Sequence, residues 1–279
     1  MPAAPLRDAV AAALATISAR PQISHVVFDF DGTLSWLRHG WPMIMTAVMR
    51  ERLPRLRGED DRQVEGLLNG IIIGLNGRPT IVQMVRFAEV VRERGGPVLD
   101  AETLRAEYQR RLDLEIAARS ARIRDGRAQV DEFVVFAARD LLTRLTRDGL
   151  RLFVLSSTVE ERVREEAGLL GLTSFFGDRI HGCVGDPTRF TKRAVFERIL
   201  REDGIGGDRL LSFGDGPVEL GDTKALGGLA IAVCSDEEHN GSGVCDAHKE
   251  RQLLAAGADL AIPDFRDAIA LVDQLRGRP

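Results

Sequence analysis

The sequence predicts an α/β fold, in which a doubly wound parallel sheet carries a separate helical domain inserted after its first strand. Three observations lead to this prediction. Short runs that are apolar throughout alternate with helix-like patterns in the second half of the chain. The long segment between the first two such runs contains only helical patterns. With 279 residues, the chain is long enough to bury a large core and to hold an inserted domain as well.

The first strand is predicted at residues 26–28, an apolar run that ends in Asp29, Asp31, Gly32 and Thr33. Residues two apart on a strand point the same way, so Asp29 and Asp31 can converge at its carboxyl end. Gly32 lets the backbone turn sharply there. Two converging carboxylates repel each other unless a cation or a shared proton relieves them. The pattern therefore favours a metal-assisted site; the alternative is a strand followed by a polar turn.

Five later apolar runs resemble the first, and helical patterns separate most of them. The predicted strands are 152–155, 179–181, 210–213, 229–233 and 259–262. The predicted helices are 160–170, 192–201, 218–226 and 249–255. Strands that alternate with helices predict a Rossmann-like, doubly wound core formed by residues 1–34 and 150–279.

The segment 35–149 reads as a chain of helices at 41–53, 61–73, 80–94, 101–118 and 131–147, separated by Gly and Pro breaks. A structureless loop of that length is implausible within a compact domain. We therefore predict a helical cap domain over 35–149. A further amphipathic helix, and not a signal peptide, is predicted at 10–17.

The composition argues against several classes of protein. The net charge of -4, with both signs mixed along the chain, gives no case for binding nucleic acid or an anionic membrane. No apolar run approaches the length of a membrane span. The three cysteines match no zinc or redox motif, and their odd number favours a reducing compartment and a cytoplasmic location.

Chemically competent side chains follow several of the predicted strands. In an open α/β sheet, ligands bind at the carboxyl ends of the strands, so these positions indicate function. The second strand is followed by Ser156 and Ser157, and Lys192 starts the helix after the third. The fourth is followed by a segment that holds Asp215 and Glu219. Acids, hydroxyls and a lysine together make a set suited to phosphoryl transfer.

These motifs, in this order, resemble the haloacid dehalogenase superfamily, specifically its Mg-dependent phosphatase branch with a helical C1-type cap. The resemblance covers residues 24 to about 263, with the insert as the cap. It implies that Asp29 is the nucleophile and takes the phosphoryl group as an acyl phosphate. It also implies that Asp31 is the general acid and base, which protonates the leaving oxygen and then activates the hydrolytic water.

The resemblance further assigns phosphate-binding and metal-binding residues. Gly32, Ser156, Ser157 and Lys192 are expected to bind the phosphoryl group. Mg²⁺ is expected on Asp29, Asp215 and the Asp31 backbone carbonyl, with Glu219 as a further candidate through a water molecule. The alternatives are structural: Ser156 caps the next helix, Lys192 is a solvated lysine, and Glu219 stabilises the first turn of its helix.

Substrate selection is expected from the cap. Arg38, His39 and Trp41 lead into it, and Asn76 and Arg78 lie in a loop between two of its helices. The alternative for the first group is a hinge packed by tryptophan. A polar loop at 235–246 is also expected to border the site.

The sequence thus predicts a Mg²⁺-dependent phosphatase that acts on a small phosphorylated metabolite, with a sugar phosphate as the first candidate. The alternatives are a phosphosugar mutase of the same fold and a non-catalytic phosphate-binding regulatory protein, since a fold alone does not prove activity. A homodimer is left open.

Overall fold

The central strand of the sheet is the apolar segment that precedes Asp29. The computed structural model describes residues 8–75, 79–185 and 190–278. In it, β1 (His25–Phe28) pairs in parallel with β2 (Arg151–Val159) on one side and with β4 (Leu210–Gly214) on the other. The sheet is completed by β3 (Ile180–Cys183), β5 (Leu229–Val233) and β6 (Leu260–Ile262), in the order β3-β2-β1-β4-β5-β6, with every pairing parallel. The predicted fold class is confirmed.

The strands β1, β4 and β5 are largely apolar because helices cover both faces of the sheet. All residues of β1, β4 and β5 are buried. Side chains alternate between the faces: Val26 and Phe28 join one apolar cluster, and Val27 joins another. The helices of this core are α1 (Asp8–Leu14), α6 (Ala138–Arg147), α7 (Glu160–Leu169), α8 (Thr173–Phe176), α9 (Lys192–Glu202), α10 (Pro217–Ala225), α11 (Ala247–Ala255) and α12 (Ala268–Leu275).

A second compact unit, Arg38–Ala121, is helical and has an apolar core of its own. Met49, Leu68 and Phe87 are among the fully buried side chains of that core. The helices are α2 (Trp41–Arg50), α3 (Asp61–Ile72), α4 (Thr80–Glu93) and α5 (Ala101–Arg124), whose last residues lie beyond the unit. The start of α3 is fixed by a capping box between Asp60 and Gln63.

The compact helical unit is shorter than the 35–149 segment assigned to the insert from the sequence. Residues 122–149 belong with the sheet, and Ile123, Phe133 and Leu141 join its main apolar cluster. The helix predicted at 131–147 is also interrupted. A short 3-10 helix, Val130–Phe133, precedes α6, and Ala137 between them adopts a φ of 61°, which a continuous helix excludes.

The second strand is longer than its apolar run. The run covers 152–155, but β2 continues to Val159, with an irregular register against β3 between Leu155 and Val159. Ser156 and Ser157 therefore lie within the strand and not after it. No helix among the described residues combines the length and the apolar character needed to cross a membrane.

Candidate active site

The side chain of Asp29 lies where the order of strands reverses, between β1 and β4. Its backbone N–H donates to the Phe213 carbonyl at 2.9 Å, which continues the pairing of the two strands past the end of β1. The N–H of Phe30 donates to Asp29 Oδ1 at 2.8 Å. The carboxylate is thus held by its own backbone at the switch point of a parallel sheet, where such folds bind ligands.

Lys192, the first residue of α9, reaches two carboxylates. Its Nζ lies 2.9 Å from Asp29 Oδ1 and 3.1 Å from Glu219 Oε2. Its side chain is only 8% exposed, so it is not the solvated lysine of the structural alternative. Burial opposes its positive charge, but Asp29 and Glu219 outweigh that effect and raise its pKa. Lys192 therefore carries a fixed positive charge beside Asp29.

Asp215 enters the same region from the turn between β4 and α10, and Glu219 enters it from the first turn of α10. Asp29, Asp215 and Glu219 each offer a carboxylate oxygen, and these three oxygens lie within 4.8 Å of one another. Glu219 has two roles, since Oε2 accepts from Lys192 while Oε1 accepts from the backbone N–H of Gly216 at 2.6 Å. The structural alternative for Glu219, support of the helix start, is therefore also present.

The electrostatics of the cluster disfavour full ionisation. Burial raises the pKa of Asp29 well above its ordinary value; Glu219 and Asp215 add to this, and Lys192 opposes it. Burial likewise raises the pKa of Asp215 to about 7, opposed by Lys249 and increased by Glu219. A divalent cation among these oxygens would relieve their repulsion.

Asp31 points its carboxylate toward β2. Thr158 Oγ1 donates to Asp31 Oδ2 at 2.9 Å, and the Thr158 N–H donates to Ser156 Oγ at 3.1 Å. Ser156 is 2% exposed, whereas Ser157 is exposed. Ser156 does not cap α7, because no side chain caps that helix. Its hydroxyl accepts one hydrogen bond and retains a proton to donate.

Gly32 forms the turn between these groups. It adopts a φ of 75°, a conformation that favours glycine. Its carbonyl accepts a hydrogen bond from Ser235 Oγ at 3.0 Å, which ties the turn to the loop after β5. That loop was expected at the border of the site, and Ser235 links it to the turn that carries Asp31.

Lys249 is the residue that the sequence analysis missed. It lies in the first turn of α11 and is buried, with Nζ 2.5 Å from Glu237 Oε1 and 3.6 Å from Asp215 Oδ2. A lysine in the first turn of a helix is disfavoured by the helix dipole. Lys249 begins the helix predicted at 249–255, so this position is the signal in the sequence that could have identified the second buried lysine.

The predicted specificity residues belong to the helical unit. Trp41 packs against the apolar core of that unit, and the His39 carbonyl accepts from Arg119 Nη1 at 3.0 Å. Asn76 and Arg78 lie outside the described residues. A role for Arg38, His39 and Trp41 in substrate selection stays a prediction.

Comparisons with known proteins place the chain among hydrolases. A family model described as haloacid dehalogenase-like hydrolase matches residues 23–221. A sequence search of the curated proteins found no match.

Solved structures with the same fold span nearly the whole chain. A conserved haloacid dehalogenase-like protein of unknown function from Agrobacterium tumefaciens is 19% identical, with a TM-score of 0.64, over 91% of this chain and 99% of that one. A predicted phosphoglycolate phosphatase from Haemophilus somnus is 15% identical, with a TM-score of 0.59, over 90% and 98%. A proposed beta-phosphoglucomutase from Bacteroides vulgatus is 16% identical, with a TM-score of 0.56, over 97% and 98%.

Proposed function

The chain belongs to the haloacid dehalogenase-like hydrolase family, and from this premise we propose that it is a Mg²⁺-dependent phosphatase of small phosphorylated metabolites. The observation that carries the proposal is the contact of Lys192 with Asp29 at 2.9 Å, next to Asp215 and Glu219. A carboxylate nucleophile, a fixed cation and further acids then meet at the switch point of the sheet.

The donor set fits Mg²⁺. Three carboxylates, Asp29, Asp215 and Glu219, against one lysine, Lys192, leave two negative charges, which one divalent cation balances. Asp29, Asp215 and the Asp31 carbonyl would hold the ion, with Glu219 acting through a water molecule, since both of its carboxylate oxygens already accept hydrogen bonds. When bound, Mg²⁺ would supply positive charge to the phosphoryl oxygens.

In the first half of the reaction, Asp29 attacks phosphorus. A bond forms between its carboxylate oxygen and phosphorus, and the ester bond to the leaving oxygen breaks. Lys192 and the Ser156 hydroxyl are suited to bind phosphoryl oxygens, with Ser157 and the turn at Gly32 as further contacts. Asp31, fixed by Thr158, gives its proton to the leaving oxygen.

In the second half, Asp31 takes a proton from a water molecule, which attacks the phosphorus of the aspartyl phosphate. The bond between Asp29 and phosphorus breaks, inorganic phosphate is formed, and both carboxyl groups return to their starting states. This two-step route needs Asp29 and Asp31 in different roles, and their different partners, Lys192 and Thr158, suit that division.

Substrate choice is proposed to lie with the helical unit. Arg38, His39 and Trp41 are the described candidates for contacts with the non-phosphate part of the substrate, and a sugar phosphate is the first class to test. A cytoplasmic location is part of the same proposal.

The test measures phosphate release from a panel of phosphorylated sugars and other small metabolites. Wild type is assayed with Mg²⁺ and with EDTA, beside the variant Asp29→Asn. The control variant is Asp208→Asn, because Asp208 is an exposed carboxylate at the opposite end of β4. We expect release that requires Mg²⁺, falls on the order of 10³-fold or more in Asp29→Asn, and is unchanged in Asp208→Asn. Release that survives both EDTA and Asp29→Asn would contradict the proposal.

Two other measurements distinguish the alternatives: conversion of one sugar phosphate into another, and acid-labile phosphate bound to the protein. A phosphosugar mutase would interconvert sugar phosphates in the presence of a sugar bisphosphate and release little phosphate. A phosphate-binding protein would form no acid-labile phosphate on Asp29.

A further inference from the structure

Lys249 is a second buried lysine at the acid cluster, and the phosphatase mechanism above does not use it. Its side chain is 7% exposed. Its Nζ contacts Glu237 Oε1 at 2.5 Å and the Ser235 carbonyl at 3.3 Å, and it lies 3.6 Å from Asp215 Oδ2. A buried ammonium group in the first turn of a helix is retained only where anions compensate its desolvation.

The two buried lysines divide the acids between them. Lys192 lies between Asp29 and Glu219, and Lys249 lies between Asp215 and Glu237. Four carboxylates against two lysines again leave two negative charges, so one divalent cation still completes the balance. The ion pair of Lys249 and Glu237 has no net charge. Its positive end, Lys249 Nζ, nevertheless lies 3.6 Å from Asp215 Oδ2.

The distances separate the anchor of Lys249 from its target. At 2.5 Å, Glu237 is hydrogen-bonded to Nζ, whereas Asp215 at 3.6 Å is held by charge alone. The anchor is well tied to the site, because Ser235, whose carbonyl also accepts from Lys249, donates through Oγ to the Gly32 carbonyl. The ammonium group of Lys249 is thus anchored to the loop after β5, and it attracts the Asp215 carboxylate electrostatically over 3.6 Å.

We propose that Lys249 is a positioning residue that holds Asp215 in the metal-free protein and weakens the binding of a divalent cation to the acid cluster. A cation bound by Asp215 is repelled by the nearby ammonium group, and this repulsion is strong because both charges are buried. The inference rests on the proposed Mg²⁺ site, and it assigns Lys249 the task of keeping that site ordered when it holds no metal.

The test is calorimetric titration of chelator-treated protein with Mg²⁺ at pH 8.5. In Lys249→Met we expect the Mg²⁺ dissociation constant to fall about tenfold or more, because the competing charge is gone. In Glu237→Gln we expect it to rise severalfold, because Lys249 keeps its charge and loses the carboxylate that contacts it at 2.5 Å, so more of that charge acts on the cation site. Lys224→Met is the matched control. Lys224 lies on α10 and its Nζ is 2.6 Å from Asp259 Oδ1, so its loss should leave Mg²⁺ binding unchanged.

Thermal unfolding supplies a second readout. Metal-free Lys249→Met should unfold at a lower temperature than wild type, and Mg²⁺ should stabilise it by more than it stabilises wild type. A merely structural lysine would lower stability equally with and without Mg²⁺. If Lys249→Met does not fold, the rise in dissociation constant in Glu237→Gln decides the question.

The outcomes separate this inference from the proposed function. If wild type binds Mg²⁺ and releases phosphate, but Lys249→Met binds Mg²⁺ equally or more weakly, or Glu237→Gln does not weaken binding, the role of Lys249 is refuted and the phosphatase stands. If wild type neither binds Mg²⁺ nor releases phosphate, both fall.

Discussion

The carboxylate of Asp215 lies directly against the backbone of Gly32: a Cβ atom on this glycine would fall 2.1 Å from Asp215 Oδ2. Such an approach is far inside van der Waals contact, so Gly32→Ala must displace Asp215 from the acid cluster. We expect Gly32→Ala to lose Mg²⁺-dependent phosphatase activity by about 10²-fold or more, as measured by phosphate release at saturating Mg²⁺.

Gly126→Ala is the matched control for this prediction. Gly126 has a φ of 68°, close to the 75° of Gly32, but a Cβ there would meet nothing within 4 Å. Both variants carry the strain of a left-handed residue, about 1 kcal/mol of unfolding free energy, yet only Gly32→Ala disturbs Asp215. Equal activity of the two variants would contradict the role given to this contact.

Glu219 and Asp222 lie one turn apart on α10, and their roles can be separated by substitution. Glu219→Gln keeps an oxygen for the Gly216 N–H but removes one of the two carboxylate charges that contact Lys192. We expect kcat to fall about tenfold to a hundredfold in Glu219→Gln, and to stay within about twofold in Asp222→Asn, in steady-state assays. A larger loss in Asp222→Asn would indicate that Asp222, and not Glu219, is the further acid of the proposed metal site.

Thr158 Oγ1 donates a hydrogen bond of 2.9 Å to Asp31 Oδ2 and so helps to orient this carboxylate. Thr158→Val keeps the shape of the side chain and removes the donor. Because hydrogen bonds to charged groups contribute about 1.5–3 kcal/mol, we expect kcat to fall about tenfold or more with little change in KM. Thr143→Val, which removes an exposed hydroxyl bonded to the Arg139 carbonyl, should have no effect on either constant.

The lowered pKa of His25 makes the stability of the fold depend on pH. Burial lowers the pKa of His25 below 6.5, and the hydrogen bond with Asp203 opposes this only in part. The unfolded chain therefore takes up a proton on His25 before the folded chain does, so the contribution of His25 to stability is complete above pH 6.5 and is lost as the pH falls from 6.5 through the folded pKa. Urea unfolding between pH 5.0 and 7.5 should show a shallower slope in His25→Gln than in wild type. His248→Gln, an exposed histidine, should match wild type.

Much of the fold could be predicted because strand and helix leave different periodic patterns. The apolar run 229–233 coincides with β5, and the other strands were placed within a few residues. The end of β2 could not be predicted in this way, because its last residues are polar and form part of the candidate site. Ala137 shows a second limit: nothing about an alanine indicates a φ of 61°.

The candidate site was predictable where its residues follow strands along the sequence. Asp29, Lys192, Asp215 and Glu219 come together in the structure as their positions suggested. The contacts between side chains were not predictable, since the pairing of Thr158 with Asp31 or of Lys249 with Glu237 depends on the packing of loops. Lys249 lies on a helix that no motif marks, so its position in the first helical turn is the one indication that the sequence offers.

The order of the strands also governs how this polypeptide emerges from the ribosome. β1 is the first strand to be synthesised. Its His25 pairs with Arg151 on β2 and with Leu210 on β4, so the middle of the sheet cannot form until most of the chain has been synthesised. Between these events, the helical unit gains every residue of its own apolar core, from Met45 to Ile116. We therefore expect the nascent chain to carry an unpaired central strand beside an already collapsed helical unit, which makes it a client for chaperones that shield apolar strands during translation.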